Sequence, residues 1–154
     1  MADDCVFCSI ISGVLSSAVL YQDEDTIAIL DLRQSNEGHS LVIPKRHVEQ
    51  VYDLDDRTAS ALSKTVVHVA RAIREVFSPQ GLSIWQSNGQ AAFQEVPHVH
   101  FHVFPRYVGD RHLVVYPSEI VHLAKERTVD SLQKLALPLR DRLASKSFVF
   151  EKAT

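Results

Sequence analysis

A chain of 154 residues can bury one hydrophobic core but not two comfortable ones, so a single domain over 1–154 is expected. Hydrophobic residues at 45% and charged residues at 23%, with five Gly and six Pro, exclude the disordered and fibrous classes. A formal charge of -3, from 16 basic and 19 acidic residues with no Lys/Arg run, excludes an electrostatic footprint for nucleic acid or an anionic membrane surface.

The N-terminus, Met-Ala-Asp-Asp-Cys5, has neither a basic nor an apolar leader region, and no apolar stretch reaches the length of a membrane span. A cytoplasmic protein is expected. The two cysteines, Cys5 and Cys8, argue against a disulfide framework and leave a metal knuckle, a redox pair or coincidence. Ala18 to Leu32 reads as a β-hairpin with its turn at Asp23-Glu24-Asp25, and Ser40 to Ile43, stopped by Pro44, as a third strand. From Asp55 or Arg57 to Phe77, Leu62, Val66, Val69, Ile73 and Val76 recur at four-three-four-three spacing, which predicts a helix with one buried face. Pro79 and Gly81 end it. Leu82 to Gln86 follows as a fourth strand running into the turn-prone Ser87-Asn88-Gly89, and Val96 to Phe104 as a fifth. Val129 to Leu143 is expected as a C-terminal helix, bent by Pro138. Successive strands with a long helix after the third predict an α+β domain on a five-stranded antiparallel sheet.

The fifth strand carries the chemistry. Side chains alternate along a strand, so His98, His100 and His102 share one face while Val99, Phe101 and Val103 anchor the other. Steps of about 6.6 Å put the outer imidazoles about 13 Å apart, too far for one metal ion to bind all three. Two neighbours could share a zinc with a ligand from elsewhere, which leaves at least one histidine for other work. Neutral imidazole is a nucleophile available near pH 7, and neighbouring imidazoles can orient it, hold phosphate oxygens and protonate a leaving group. The competing reading is three histidines on the solvent face of an edge strand. Three together among eight favour function, whereas His68, His112 and His122 carry no pattern and read as structural or solvated.

Pro97-His-Val-His-Phe-His-Val-Phe-Pro-Arg106 resembles the signature of the histidine-triad (HIT) family, His-φ-His-φ-His-φ-φ with φ apolar. Glu37-Gly-His-Ser-Leu-Val-Ile-Pro-Lys-Arg-His47 resembles the family's upstream block, and the matching blocks run in order from Cys5 to Arg106, leaving 107–154 as a C-terminal extension. The resemblance implies a HIT-like fold and a covalent mechanism. In it His100 attacks the α-phosphate to form a nucleotidyl-histidine that water cleaves, the His98 carbonyl orients His100, His102 contacts phosphate, and His39 lies beside the reacting group. It further implies Asp31 at the ribose hydroxyls, Asn88 and Gln94 at the phosphate, and Phe7, Ile10, Ile29, Leu32 and Leu41 as the slot for the base of a purine nucleotide. Cys5, Cys8, His47 and His98 would form a structural Cys2His2 zinc site like that of bacterial members, and two protomers would join as a homodimer.

The sequence departs from the family pattern at two places. Asp31-Leu-Arg-Gln-Ser-Asn36 lacks a proline many relatives have after the hairpin, and Phe93 replaces a small residue before Gln94. Hydrolysis of nucleoside phosphoramidates or adenylates is the leading expectation. A dinucleoside polyphosphate substrate, which the Pro105-Arg106 ending suggests, a non-catalytic nucleotide-binding adaptor, and a metal-dependent hydrolase with a His-x-His zinc are the alternatives.

Overall fold

The computed structural model describes residues 5–110 and, beyond them, only Thr128 and Pro138. The chain divides after His112, and everything below belongs to the first unit. The expected helix over 129–143 lies outside the described residues except for Pro138, an exposed helical residue, and His112 and His122 lie outside them too.

Five strands, β1 (Val19–Gln22), β2 (Thr26–Leu30), β3 (Ser40–Pro44), β4 (Gly81–Trp85) and β5 (Phe101–Arg106), form one sheet in the order β1-β2-β3-β5-β4. Every pairing is antiparallel, and β2 and β3 are buried along nearly their whole length. The central strands are covered on both faces, so they carry continuous apolar runs rather than polar alternation.

Helix α2 (Asp56–Phe77) starts where Asp55 caps it, its carboxylate accepting from the Thr58 N–H at 2.8 Å, and stops at Ser78 in the left-handed region ahead of Pro79. Leu62, Val66, Val69 and Ile73 pack with Ala28, Val42, Val99 and Val103 in one core. Val76 was expected in this stripe and is instead exposed. Phe77 takes over, one turn after Ile73, with its ring over Gly38, where a Cβ would meet the Phe77 ring at 2.7 Å. Gly38, at φ +97°, is therefore required both by conformation and by contact.

The opposite face of the sheet gathers Ile27, Ile29, Leu41 and Ile43 under α1 (Val6–Ile11), from which Phe7 is buried. This helix was not expected. It is one and a half turns of largely β-branched and aromatic residues with no capping side chain, so no local signal announces it, and it is held by what its residues touch.

The fifth strand differs from its expected span. Pairing with β3 begins only at Phe101, opposite Val42, and the strand continues through Pro105 to Arg106. Before it the chain bends: the His98 N–H bonds to the Val96 carbonyl at 2.8 Å and the Val99 N–H to the Val48 carbonyl at 2.7 Å. The side-chain alternation survives the bend. Val99 and Val103 are buried on the α2 side, while His102, the partner of Leu41, faces the α1 side.

Candidate active site and metal cluster

Phe7 ties α1 to the histidines, its ring lying edge-on to His98 at 5.8 Å and to His100 at 5.0 Å between centroids. The His100 and His102 rings are 5.0 Å apart. The even spacing expected for three strand residues does not hold at His98. The bend turns its ring toward the cysteines, so the three imidazoles divide into one beside Cys5 and Cys8 and two that face each other.

The protonated nitrogens follow from the carbonyls they meet, because a carbonyl can only accept. His98 donates Nε2–H to the Pro44 carbonyl at 2.9 Å, which leaves Nδ1 with the lone pair. His100 donates Nδ1–H to the His98 carbonyl at 2.7 Å, so its Nε2 carries the lone pair. His39 donates Nδ1–H to the Arg33 carbonyl at 3.0 Å, so its Nε2 must accept the Nδ1–H of His102 at 2.9 Å. Burial lowers the proton affinity of all three triad rings, to about 4 for His98 and about 3 for His102, and below the ordinary 6.5 for His100. At His100 the His98 carbonyl and the charges of Asp31 and Glu95 oppose that shift.

The expected metal ligands converge. Cys5 Sγ, Cys8 Sγ, His47 Nδ1 and His98 Nδ1 lie within 4.8 Å of one another. His98 Nδ1 is 3.4 Å from Cys5 Sγ, 3.7 Å from Cys8 Sγ and 3.3 Å from His47 Nδ1, and Cys8 Sγ is 3.3 Å from His47 Nδ1. The cysteines form no disulfide, and burial, with the Cys5 thiol beside it, raises the Cys8 thiol above its usual range. Asp31, His39 and His102 also lie within 4.8 Å of one another. In that group Asp31 sits 3.5 Å from Nδ1 of His39 and His102 meets Nε2, so the two flank the ring on different nitrogens rather than facing one point.

The other expected residues are distributed unevenly. Phe7, Ile29 and Leu41 are buried together with Ile10 packed against them, whereas Leu32 is fully exposed and outside the cluster. The Asp31 carboxylate accepts the Arg33 N–H at 2.7 Å. The side-chain amides of Asn88 and Gln94 tie their loop to the segment after β3: Asn88 Oδ1 accepts the Val51 N–H at 2.7 Å, and Gln94 Oε1 accepts the Gly89 N–H at 2.6 Å while its Nε2 donates to the Glu49 carbonyl at 2.7 Å.

Three participants escaped the sequence. Trp85 lies flat on His102, and only the β4–β5 register brings the two together. Gln34 clamps the loop before His39, its Nε2 donating to the Asp31 and His39 carbonyls at 2.6 and 2.7 Å and its Oε1 accepting the Gly38 N–H at 2.8 Å. Arg33 pairs with Glu95 at 3.0 Å, joining that loop to the segment before the triad. The opposite charges of Arg33 and Glu95 were visible, but their separation by 62 positions gives no local cue.

The HIT domain model matches residues 12–109. Protein hit of Bacillus subtilis (strain 168) is 41% identical over 145 residues, 94% of this chain and 97% of that one. A solved HIT-family structure from Bacillus subtilis has a TM-score of 0.81 at 38% identity, covering 91% of this chain and 97% of its own. The Schizosaccharomyces pombe protein named adenosine 5'-monophosphoramidase hnt1 is 33% identical over 129 residues, 79% of this chain and 94% of that one. A Zn-bound histidine triad family protein from Mycobacterium smegmatis has a TM-score of 0.66 at 41% identity, covering 70% of this chain and 78% of its own. Sheet order, the triad and these matches make the same assignment: the chain belongs to the HIT-domain family.

Proposed function

We propose that the protein hydrolyses a nucleoside phosphoramidate or adenylate at the α-phosphorus through a nucleotidyl-His100 intermediate. The observation that carries this reading is the state of His100. Its Nδ1–H is held by the His98 carbonyl at 2.7 Å and its ring is kept neutral by burial, so Nε2 presents a lone pair without needing a base to activate it. In the first step that lone pair forms a bond to phosphorus, the bond from phosphorus to the leaving group breaks, and the leaving group departs with the proton that the bound substrate brought to His102, which the water of the second step restores. Water then attacks the same phosphorus, the P–N bond breaks, and His100 recovers its lone pair as the nucleoside monophosphate leaves. His39 and His102 stand beside the reacting phosphate, Asp31 serves the ribose, and the apolar cluster of Phe7, Ile10, Ile29 and Leu41 serves a purine base. The monophosphoramidase name of the fission-yeast relative supports this substrate class.

Mass spectrometry of the wild-type protein quenched during turnover should show the nucleotidyl adduct. His100→Ala should lose turnover by at least a thousandfold, still bind AMP, and show no adduct. The same adduct on His100→Ala overturns the assignment. The Arg106 guanidinium is bound by Asp110 and by Ser83 Oγ at 3.1 Å, so the dinucleoside polyphosphate alternative rests on the Pro105-Arg106 ending as a sequence likeness, and relative turnover of diadenosine tetraphosphate decides it.

Zinc at Cys5, Cys8, His47 and His98 completes the proposal as a structural ion. Zn–N bonds of about 2.0–2.1 Å and Zn–S bonds of about 2.3 Å make a tetrahedron with edges of about 3.3 Å between nitrogens and about 3.5 Å between nitrogen and sulfur. The donor spacings of 3.3 to 3.7 Å fit it, and the Nε2–H of His98 on Pro44 fixes the ligating tautomer. All four positions are filled by protein, so the ion braces the fold and takes no part in the chemistry. A homodimer is the proposed assembly, supported by β4 as an edge strand among the described residues and the half-exposed Ile84 on it, and checked by sedimentation equilibrium.

A further inference from the structure

Trp85 is the only tryptophan of the chain and ends the edge strand β4 directly opposite His102. Its indole stacks on the His102 ring at 4.3 Å between centroids with only 4° between the planes, and it extends toward His39 at 5.8 Å and 26°. His39 and His102 are themselves within 23° of parallel. The indole therefore forms a floor beneath a hydrogen-bonded imidazole pair, and it belongs to neither apolar core.

The hydrogen-bond order gives this floor a task. His102 spends its Nδ1–H on His39, so in the neutral ring Nε2 offers only a lone pair, which repels a phosphate oxygen. A His102 that contacts phosphate therefore does so as an imidazolium, the second proton arriving with the anionic substrate. The groups facing it are His39 before β3, His100 on the approach to β5, and the Asp31 carboxylate after β2, which lies within 4.8 Å of the histidine nitrogens. Asp31 supplies a negative charge on the His39 side, while the indole is the face stacked directly on the His102 ring, and both favour a charged ring.

We propose that Trp85 is a positioning residue for the reaction, its indole fixing the plane of His102 between His39 and the phosphate and its π face stabilising the charge His102 acquires when it binds phosphate. The inference rests on the nucleotide-hydrolase reading and assigns a new part to a residue outside the histidine set. A flat aromatic ring is what the role requires, so size alone does not satisfy it.

Steady-state kinetics on adenosine phosphoramidate should show Trp85→Leu reduced about tenfold in kcat/KM, the loss falling mainly on KM because the charge is already present in the bound complex. Trp85→Phe should stay within about threefold of wild type, and the pH profile of kcat should move in the Leu variant alone. A Leu variant within twofold of wild type, or a Phe variant as impaired as Leu at equal thermal stability, overturns the proposal. Should Trp85→Leu fail to fold, emission from Trp85 itself decides. A protonated imidazole quenches a stacked indole, so AMP added to His100→Ala should quench fluorescence, and should not do so in His100→Ala/His102→Ala. AMP that binds by calorimetry without quenching sinks the role of Trp85. AMP that does not bind at all sinks the nucleotide reading, and the role of Trp85 with it.

Discussion

Burial of His102 has a measurable cost. Its folded proton affinity, about 3, is below the ordinary 6.5, so above 6.5 neither folded nor unfolded ring is charged and the group contributes nothing to stability. As pH falls through 6.5 the unfolded chain takes a proton that the folded ring refuses, and stability declines until the pH approaches 3. Urea midpoints at pH 7.5, 6 and 5 should fall progressively, and His102→Asn should flatten the decline. An unchanged slope in that variant would place the acid sensitivity elsewhere. Phe93 is a second residue under tension: it holds φ 61° in the left-handed region while its side chain is 89% exposed, so the ring recovers little from the fold. Phe93→Gly should raise stability by about 1 kcal/mol by relieving that conformation. We also expect it to shift the kcat/KM ratio between adenosine phosphoramidate and diadenosine tetraphosphate, since Phe93 adjoins Gln94 in the loop that the family resemblance implies at the phosphate. A stable variant with an unaltered ratio removes Phe93 from leaving-group selection.

Among the elements, α2 illustrates how far pattern alone reaches. Its start, read as Asp55 or Arg57, and its stripe from Leu62 to Ile73 were legible because 3.6-residue periodicity is local, while the Asp55 cap is what the structure adds. The departure of Val76 was not, because it depends on Phe77 finding Gly38 on another segment. The same division runs through the site: the imidazole triad declares itself by alternation, while the bend that sends His98 to the cysteines depends on the contact between Val99 and Val48. Helix α1 has no periodicity over six residues, and Trp85 becomes visible only once the β4–β5 register is known. Energetically, Leu62→Ala, at 1% exposure in the core under α2, should cost about 3 kcal/mol, and Asp55→Ala about 1 kcal/mol through the lost cap. Equal losses in denaturant titrations would mean that α2 is held by its terminus rather than by its buried face.

At the scale of the molecule, the sheet separates two tasks. The α2 side is an apolar core, while the other side carries both the histidine group and the candidate metal ligands. No buried side-chain nitrogen or oxygen among the described residues lacks a partner, so the polar side is built as tightly as the apolar one. Removing a cluster ligand should accordingly act on folding first. Cys5→Ser should lower both the melting temperature and zinc content measured by plasma emission, while turnover per folded molecule stays within about threefold of wild type. A variant that melts like wild type yet has lost its activity would move the cluster from scaffold to chemistry.

His98 belongs to both halves of that face: its ring joins the cysteines and its carbonyl holds the His100 ring. The two groups answer to different partners, since Pro44 also holds the His98 ring, so loss of a sulfur ligand does not by itself release the His100 ring. The rate constant of a pre-steady-state burst should therefore be the same in protein of low and high zinc content, its amplitude following the folded fraction alone.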